Sequence, residues 1–308
     1  MLPIFVSPPI QQIDSKLTCT ENVELYVLRL DLVHPLISGN KWFKLKYNLE
    51  AAQRENFDTI LTFGGAYSNH IYATAAAGNL FGLKTIGVIR GEETLPLNPT
   101  LEFATSQQMQ LVYVDRQTYR QRNSEALRQK LYARFGKVFI IPEGGCNLNG
   151  VIGCTEIISQ DCQSINFDTV CIACGTGTTL AGVAISVNDK QHVIGFPVLK
   201  GGGFLKQDIE SLLTQYQVAK NRSWELICNY HFGGYAKVNN ELLRFARDFE
   251  LEYGIPLDYV YTAKMFYGVM DLLQQGYFRY LNRRRLLLIH TGGLQGNTGT
   301  KMNQGFNF

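Results

Sequence analysis

Short apolar segments alternate with longer stretches of helical period along most of this chain. No other feature restricts its fold as much. Residues 59–63, 85–89, 110–114, 138–142, 167–174, 192–197, 224–228 and 285–290 read as strands. Several are apolar at consecutive positions, as strands buried on both faces require. Between them, residues 42–56, the stretch running through Leu80, and residues 120–135, 175–187, 239–253 and 263–275 read as helices. A helix between two strands lets the second strand return parallel to the first. The order predicts an α/β protein with two open, twisted, mostly parallel sheets flanked by helices. One sheet is expected from roughly residues 57 to 142 and the other from roughly 165 to 295. Ligands of such sheets gather at the carboxyl ends of the strands, so the cleft between the two is the natural binding site.

The charge balance excludes some partners. The chain has 29 Lys+Arg against 26 Asp+Glu, a net +3, too even to point to nucleic acid or an anionic membrane surface. The run Arg283-Arg284-Arg285 reads as a solvated turn before the last strand. No apolar run approaches the ~20 residues that cross a bilayer. Residues 1–13 lack the basic start and apolar centre of a signal peptide, so the expected location is the cytoplasm. The seven cysteines are odd in number and scattered, unlike a disulfide framework. Cys171 and Cys174 form a CxxC with no second ligand pair, which reads as two small buried strand residues rather than a metal or redox site.

Chemistry concentrates where glycines follow strands. Gly64-Gly65-Ala66-Tyr67-Ser68-Asn69-His70, Gly144-Gly145-Cys146-Asn147, Gly175-Thr176-Gly177-Thr178-Thr179 and His290-Thr291-Gly292-Gly293 are such turns. Glycine permits left-handed backbone and close approach to a ligand. After Gly175 and Gly177 a dinucleotide fingerprint needs glycine at 180, where Leu180 stands, and no turn ends in the Gly-Lys-Ser/Thr of a P-loop. A strand that turns on glycines into a helix beginning with threonines suits a phosphate group, held by free amides and hydroxyls. A tight packing turn is the alternative. Lys41, in Ser38-Gly39-Asn40-Lys41, is either a solvated lysine or an amine desolvated beside Trp42 and Phe43, and so a nucleophile.

In order, from about Leu36 to Gly296, these motifs resemble those of the pyridoxal-phosphate enzymes related to tryptophan synthase β (fold type II). Within them they are similar to the group holding D-cysteine desulfhydrase and 1-aminocyclopropane-1-carboxylate deaminase. Ser38-Gly39-Asn40-Lys41 is similar to that group's Gly-Asn-Lys, whose lysine bears the cofactor, pyridoxal 5'-phosphate, as a Schiff base. Lys44 stands where the group has a lysine near the phosphate. The Gly64-to-His70 segment is similar to Gly-Gly-x-x-Ser-Asn-His. By carry-over, Ser68 touches substrate or assists proton transfer, Asn69 bonds the cofactor's 3-hydroxyl, and His70 lies with both on the substrate side. Gly175, Thr176, Gly177, Thr178 and Thr179 match the phosphate cup, and Thr262 and Thr291 fall to the cofactor. Tyr235 and Tyr261 stand where the group places two active-site tyrosines, although Tyr235 alone also reads as core. Asp258-Tyr259-Val260-Tyr261-Thr262-Ala263-Lys264 is similar to Asp-Pro-Val-Tyr-Thr-Gly-Lys. The implied catalytic set is Lys41, Ser68, Tyr261 and Tyr235, without metal. The chain departs from the pattern at Phe43, Tyr72, Ala73, Tyr259 and Ala263, changes expected to line or support the substrate side. The implied division is a larger cofactor-binding domain of residues 1–45 and 156–308 and a smaller one of 46–155.

The resemblance implies a lyase, deaminase or hydrolase that turns a small amino acid into a keto acid and ammonia, with freed Lys41 as the base. Position 262 separates the reactions. The deaminase has Glu there, which keeps the pyridine nitrogen protonated; neutral Thr262 suits elimination of a good leaving group such as thiolate. A D-cysteine desulfhydrase-like β-elimination is therefore expected ahead of the deaminase reaction. A catalytically idle cofactor- or amino-acid-binding protein is the alternative of another class, and the joint presence of Lys41, Ser68 and Tyr261 argues against it. The expected partners are a small amino acid and a second copy of the chain as a homodimer, with no nucleic acid and no membrane.

Overall fold

The computed structural model describes residues 5–216 and 223–299. Residues 1–4 of the N-terminal stretch lie outside them. The strands are β1 Ile10–Ile13, β2 Glu24–Arg29, β3 Thr59–Gly64, β4 Lys84–Arg90, β5 Gln110–Val114, β6 Phe139–Ile141, β7 Thr169–Cys174, β8 His192–Pro197, β9 Trp224–Leu226 and β10 Arg285–His290. They form a six-stranded sheet in the order β1-β2-β10-β7-β8-β9 and a four-stranded sheet in the order β5-β4-β3-β6. All pairings are parallel except that of β1 with β2. The fold is thus the expected α/β arrangement of two mostly parallel sheets flanked by helices.

The period of a strand explains the core. In β7, Val170, Ile172 and Cys174 face one apolar layer with Leu180 and Val183. Cys171 and Ala173 face the other, with Met265, Phe266 and Val269. Helices cover both faces, so no polar alternation survives in this strand. Cys171 and Cys174 therefore point to opposite sides of the sheet. Burial pushes both thiols up, Cys174 to about 12.

Three differences from the sequence reading are local. The larger sheet takes in β1, where Gln11 and Gln12 hide the strand period, and β2, which the sequence reading passed over although Leu25, Tyr26, Val27 and Leu28 form an uninterrupted apolar run. The single polar helix expected over residues 120–135 is two helices, Arg116–Arg120 and Glu125–Phe135, each opened by its own cap from Asp115 or Ser124. A helix at Pro99–Ser106 is capped by Asn98 with proline in its first turn, a start signal present in the sequence. The arginine run sits at the start of β10, where Arg285 pairs with Glu24 at 2.9 Å and Arg283 with Glu225 at 3.5 Å.

One close approach positions the site. Helix Asn40–Arg54 lies against helix Leu148–Cys154, which lies against helix Thr178–Ser186. A side chain at Gly153 would stand 1.7 Å from the Phe43 carbonyl oxygen. Only glycine lets the helix that starts at Asn40 come this near, and that helix carries Lys41 and Lys44. Among the described residues no helix is long and apolar enough to cross a membrane.

Candidate active site

The carboxyl ends of β3 and β6 face those of β7 and β10 across a cleft of about 980 Å3. Lys41, Lys44, Ser68, Asn69, His70, Gly175, Thr176, Gly177, Thr179, Tyr235, Tyr261 and Thr291 line it.

Lys41 enters from the first turn of helix Asn40–Arg54. Gly39 before it has φ 70° and ψ −153°, a conformation that belongs to glycine. A Cβ there would lie 1.9 Å from the Thr291 carbonyl oxygen. The Gly39 amide donates to Leu30 at 2.8 Å and the Asn40 amide to the Thr291 carbonyl at 3.2 Å. Asn40 Nδ2 donates to Thr179 Oγ1 at 2.8 Å. The loop is thereby tied to both the end of β10 and the start of helix Thr178–Ser186. Burial, and after it the positive charge of Lys44, bring the Lys41 amine from 10.5 down to about 7. Much of it is neutral at neutral pH, as a nucleophile must be.

An anion cup lies beside it. Helix Thr178–Ser186 begins after Gly177 at φ 74° with no side-chain cap. Its first amides have no partner within the helix. Lys44 is buried, and its Nζ donates to Thr176 Oγ1 at 3.3 Å. Burial holds this amine below its usual range. Uncapped amides, an ammonium and a hydroxyl form the donor set of a phosphate site.

The turn after β3 supplies the opposite wall. Ser68 is the N-cap of helix Asn69–Phe81 and accepts from the amides of His70 and Ile71 at 3.2 and 3.3 Å. Among the described residues its hydroxyl proton has no acceptor, which leaves it for a ligand. Asn69 Oδ1 accepts from Gln295 Nε2 at 3.0 Å. His70 Nε2 meets Thr62 Oγ1 at 2.9 Å, and Thr62 donates onward to the Ile141 carbonyl at 2.8 Å. Thr62 therefore accepts from a protonated Nε2, and Nδ1 is the lone-pair nitrogen. Nδ1 is buried without a partner among the described residues. Burial, then the charges of Lys41 and Lys44, hold His70 well below its usual value, so the ring is neutral.

Tyr235 and Tyr261 meet with ring centroids 6.0 Å apart at 71°. Burial raises both phenols above their usual value. Both are proton donors at neutral pH, not bases. Tyr261 precedes helix Thr262–Gln274, where buried Asp258 accepts from the amides of Val260, Tyr261 and Thr262 at 3.1, 2.8 and 2.8 Å.

Two assigned hydroxyls do not face the cleft. Thr178 is buried with its hydroxyl 3.0 Å from that of Thr176. Thr262 is buried and donates to Asp258 Oδ2 at 2.7 Å. Of the five departures, only Ala73 lines the cleft. Phe43 lies in the core of the larger sheet. Tyr72 stacks on Phe103 at 3.7 Å. Tyr259 packs at the edge of the other core layer, and Ala263 lies inside it. These four do not line the cleft: Phe43, Tyr72 and Ala263 sit on helix faces turned toward other packing, and Tyr259 lies in the turn before helix Thr262–Gln274, so they can act on the substrate side only as support. The mouth of the cleft adds residues the sequence reading missed: Arg90, Arg122, Glu143 and Gln295. Arg122 pairs with Glu143 at 2.7 Å. They come from separate segments, and no local motif marks them.

Residues 10–292 match the family described as "Pyridoxal-phosphate dependent enzyme". The chain is 32% identical over 292 residues to a Pyrococcus furiosus protein provisionally named 1-aminocyclopropane-1-carboxylate deaminase, covering 89% of this chain and 85% of that one. It is 30% identical over 297 residues to the mitochondrial bifunctional D-cysteine desulfhydrase/1-aminocyclopropane-1-carboxylate deaminase of Arabidopsis thaliana, covering 89% and 73%. A crystal structure of an ACC deaminase homologue superposes with a TM-score of 0.84 at 28% identity, covering 98% of this chain and 95% of that one. These names are those of a deaminase and a desulfhydrase, and the expected hydrolase class is dropped.

Proposed function

The chain belongs to the pyridoxal-phosphate-dependent enzymes, and on that premise we propose that it is a lyase removing a β-substituent from a small amino acid, with D-cysteine as the model substrate. The observation that carries this reading is the meeting of a desolvated Lys41 amine, the Lys44–Thr176 cup and the Tyr235–Tyr261 pair in one cleft. The residues fit the cofactor: an amine near neutrality for its aldehyde, and uncapped amides with Lys44 for its phosphate. When bound, pyridoxal phosphate supplies an electron-poor ring that accepts the electron pair left at Cα.

The chain's own residues do the rest. Lys41 would hold the cofactor's aldehyde, and its neutral amine would take the Cα proton of the substrate. Such a base contributes about 10²–10⁴-fold. Lys44, Thr176 and the amides of Thr178 and Thr179 would hold the phosphate, with Gly177 supplying the left-handed turn at φ 74° that starts the helix and Gly175 leaving room for the Tyr261 ring. Asn69 and Thr291 orient the ring. Ser68 and His70 face the substrate, and protonated Tyr261, backed by Tyr235, delivers a proton to the leaving group. Thr262 offers no carboxylate and is committed to Asp258, which favours elimination over ring opening. The relatives' names support deamination of the cyclopropane amino acid as the second reading. We also place residues 46–155 in a smaller domain, and read the enzyme as a cytoplasmic homodimer.

The test is kcat/KM for pyruvate release from D-cysteine and for 2-oxobutanoate release from 1-aminocyclopropane-1-carboxylate. The reading requires the first to exceed the second and Lys41→Ala to abolish both. Faster turnover of the cyclopropane substrate overturns the order.

A further inference from the structure

Tyr235 rides on an unusual loop. Phe232, Gly233, Gly234 and Ala236 all have positive φ, at 51°, 92°, 119° and 55°. Such backbone is costly for the two residues that are not glycine and persists only when its surroundings hold it. The loop has its own turns: the Gly234 amide donates to the His231 carbonyl at 3.0 Å and the Lys237 amide to the Gly234 carbonyl at 3.1 Å. It also presents these same two carbonyls inward to a buried charge. Lys264 Nζ donates to the Gly234 oxygen at 2.7 Å and to the His231 oxygen at 3.0 Å.

Lys264 is 1% exposed and makes no ion pair within 4 Å among the described residues. Burial lowers its amine to about 8, with Asp258 opposing the shift. A buried ammonium without a carboxylate in contact is expensive unless hydrogen bonds satisfy it, and here backbone carbonyls do so. Its position in sequence gives the arrangement a purpose. Lys264 lies in the first turn of helix Thr262–Gln274, which Tyr261 precedes. One helix start therefore carries one tyrosine of the pair and grips the loop that carries the other.

We propose that Lys264 is a positioning residue: its ammonium clamps the 231–236 loop to the start of helix Thr262–Gln274, so that Tyr235 stays against Tyr261 at the cleft. The consequence for turnover rests on the reading of the tyrosine pair as part of the active site; the clamp itself does not.

The test compares holoenzyme of wild type, Lys264→Met, Lys264→Gln, Tyr235→Phe and Tyr235→Phe/Lys264→Met. Methionine fills a similar volume without donors, and glutamine keeps an amide for one carbonyl. Hydrogen exchange of residues 231–237 reads the clamp directly. Lys264→Met should speed it on the order of 10–100-fold, as lost hydrogen bonds to a charged group would, and Lys264→Gln by less. The double mutant should lose no more kcat/KM than the worse single mutant, because both act through one group. Unchanged loop exchange in Lys264→Met overturns the clamp. Losses that multiply in the double mutant overturn action through Tyr235. If both Lys264 variants fail to fold, the lysine is core and the proposal is wrong. If Tyr235→Phe alone turns over like wild type, the assignment of Tyr235 to catalysis fails, and faster loop exchange still supports the clamp.

Discussion

The neutral amine of Lys41 should set the pH dependence of cofactor capture by the apo-protein. Only the unprotonated amine attacks an aldehyde. An ordinary lysine at 10.5 has roughly 3 neutral molecules in 10,000 at pH 7, whereas an amine at 7 is half neutral, a gain of about 1,500-fold. Lys41 stands at about 7, chiefly through burial and next through Lys44. The rate of covalent capture should therefore rise about tenfold per pH unit below 7 and level off above it. Lys44→Met removes the second cause and leaves the first, so its midpoint should move upward while staying below 10.5. Rapid mixing with the cofactor, followed by absorbance, gives the profile. Pyridoxal, which lacks the phosphate, separates the amine's titration from that of the phosphate, whose second ionisation lies near 6. A rate that climbs steadily through pH 9 would refute the reasoning. So would a Lys44→Met midpoint at or below that of the wild type.

Other outcomes follow from single contacts. Thr176→Val removes the hydroxyl that meets both Lys44 and Thr178, and cofactor retention measured by equilibrium dialysis should fall roughly 10–150-fold, as for loss of a charged hydrogen bond; unchanged retention places the phosphate elsewhere. Gly39→Ala puts a Cβ 1.9 Å from the Thr291 oxygen, on backbone whose strain alone is worth about 1–3 kcal/mol, so thermal unfolding of the apo-protein should shift markedly downward. Tyr261→Phe should keep cofactor affinity and lower kcat by about 10²-fold or more, as loss of a general acid does; an unchanged kcat removes it from proton transfer.

Much of this architecture is legible because it is written locally. β7 and β10 carry apolar residues at consecutive positions, which only strands covered on both faces do. Lys41, Ser68 and Tyr261 sit in short motifs beside the turns that present them. β1 escaped because Gln11 and Gln12 break its apolar pattern, whereas β2, with Leu25, Tyr26, Val27 and Leu28 in a row, carried a signal as clear as that of β10 and was passed over. Thr178 and Thr262 belong to motifs that reach the cleft, yet the first turn of a helix rotates their side chains into the protein, and no string of residues shows that rotation. The pairing of Arg122 with Glu143 and the grip of Lys264 on the 231–236 loop join segments distant in sequence. They become visible only in three dimensions.

The central claim is that Lys41 bears the cofactor. Purified holoenzyme reduced with borohydride, digested and mapped by mass spectrometry tests it most directly. The account requires the reduced pyridoxyl phosphate on the peptide containing Lys41, with Lys44 unmodified. A label on Lys44, Lys264 or any other lysine, or no covalent label in a yellow protein, would contradict it.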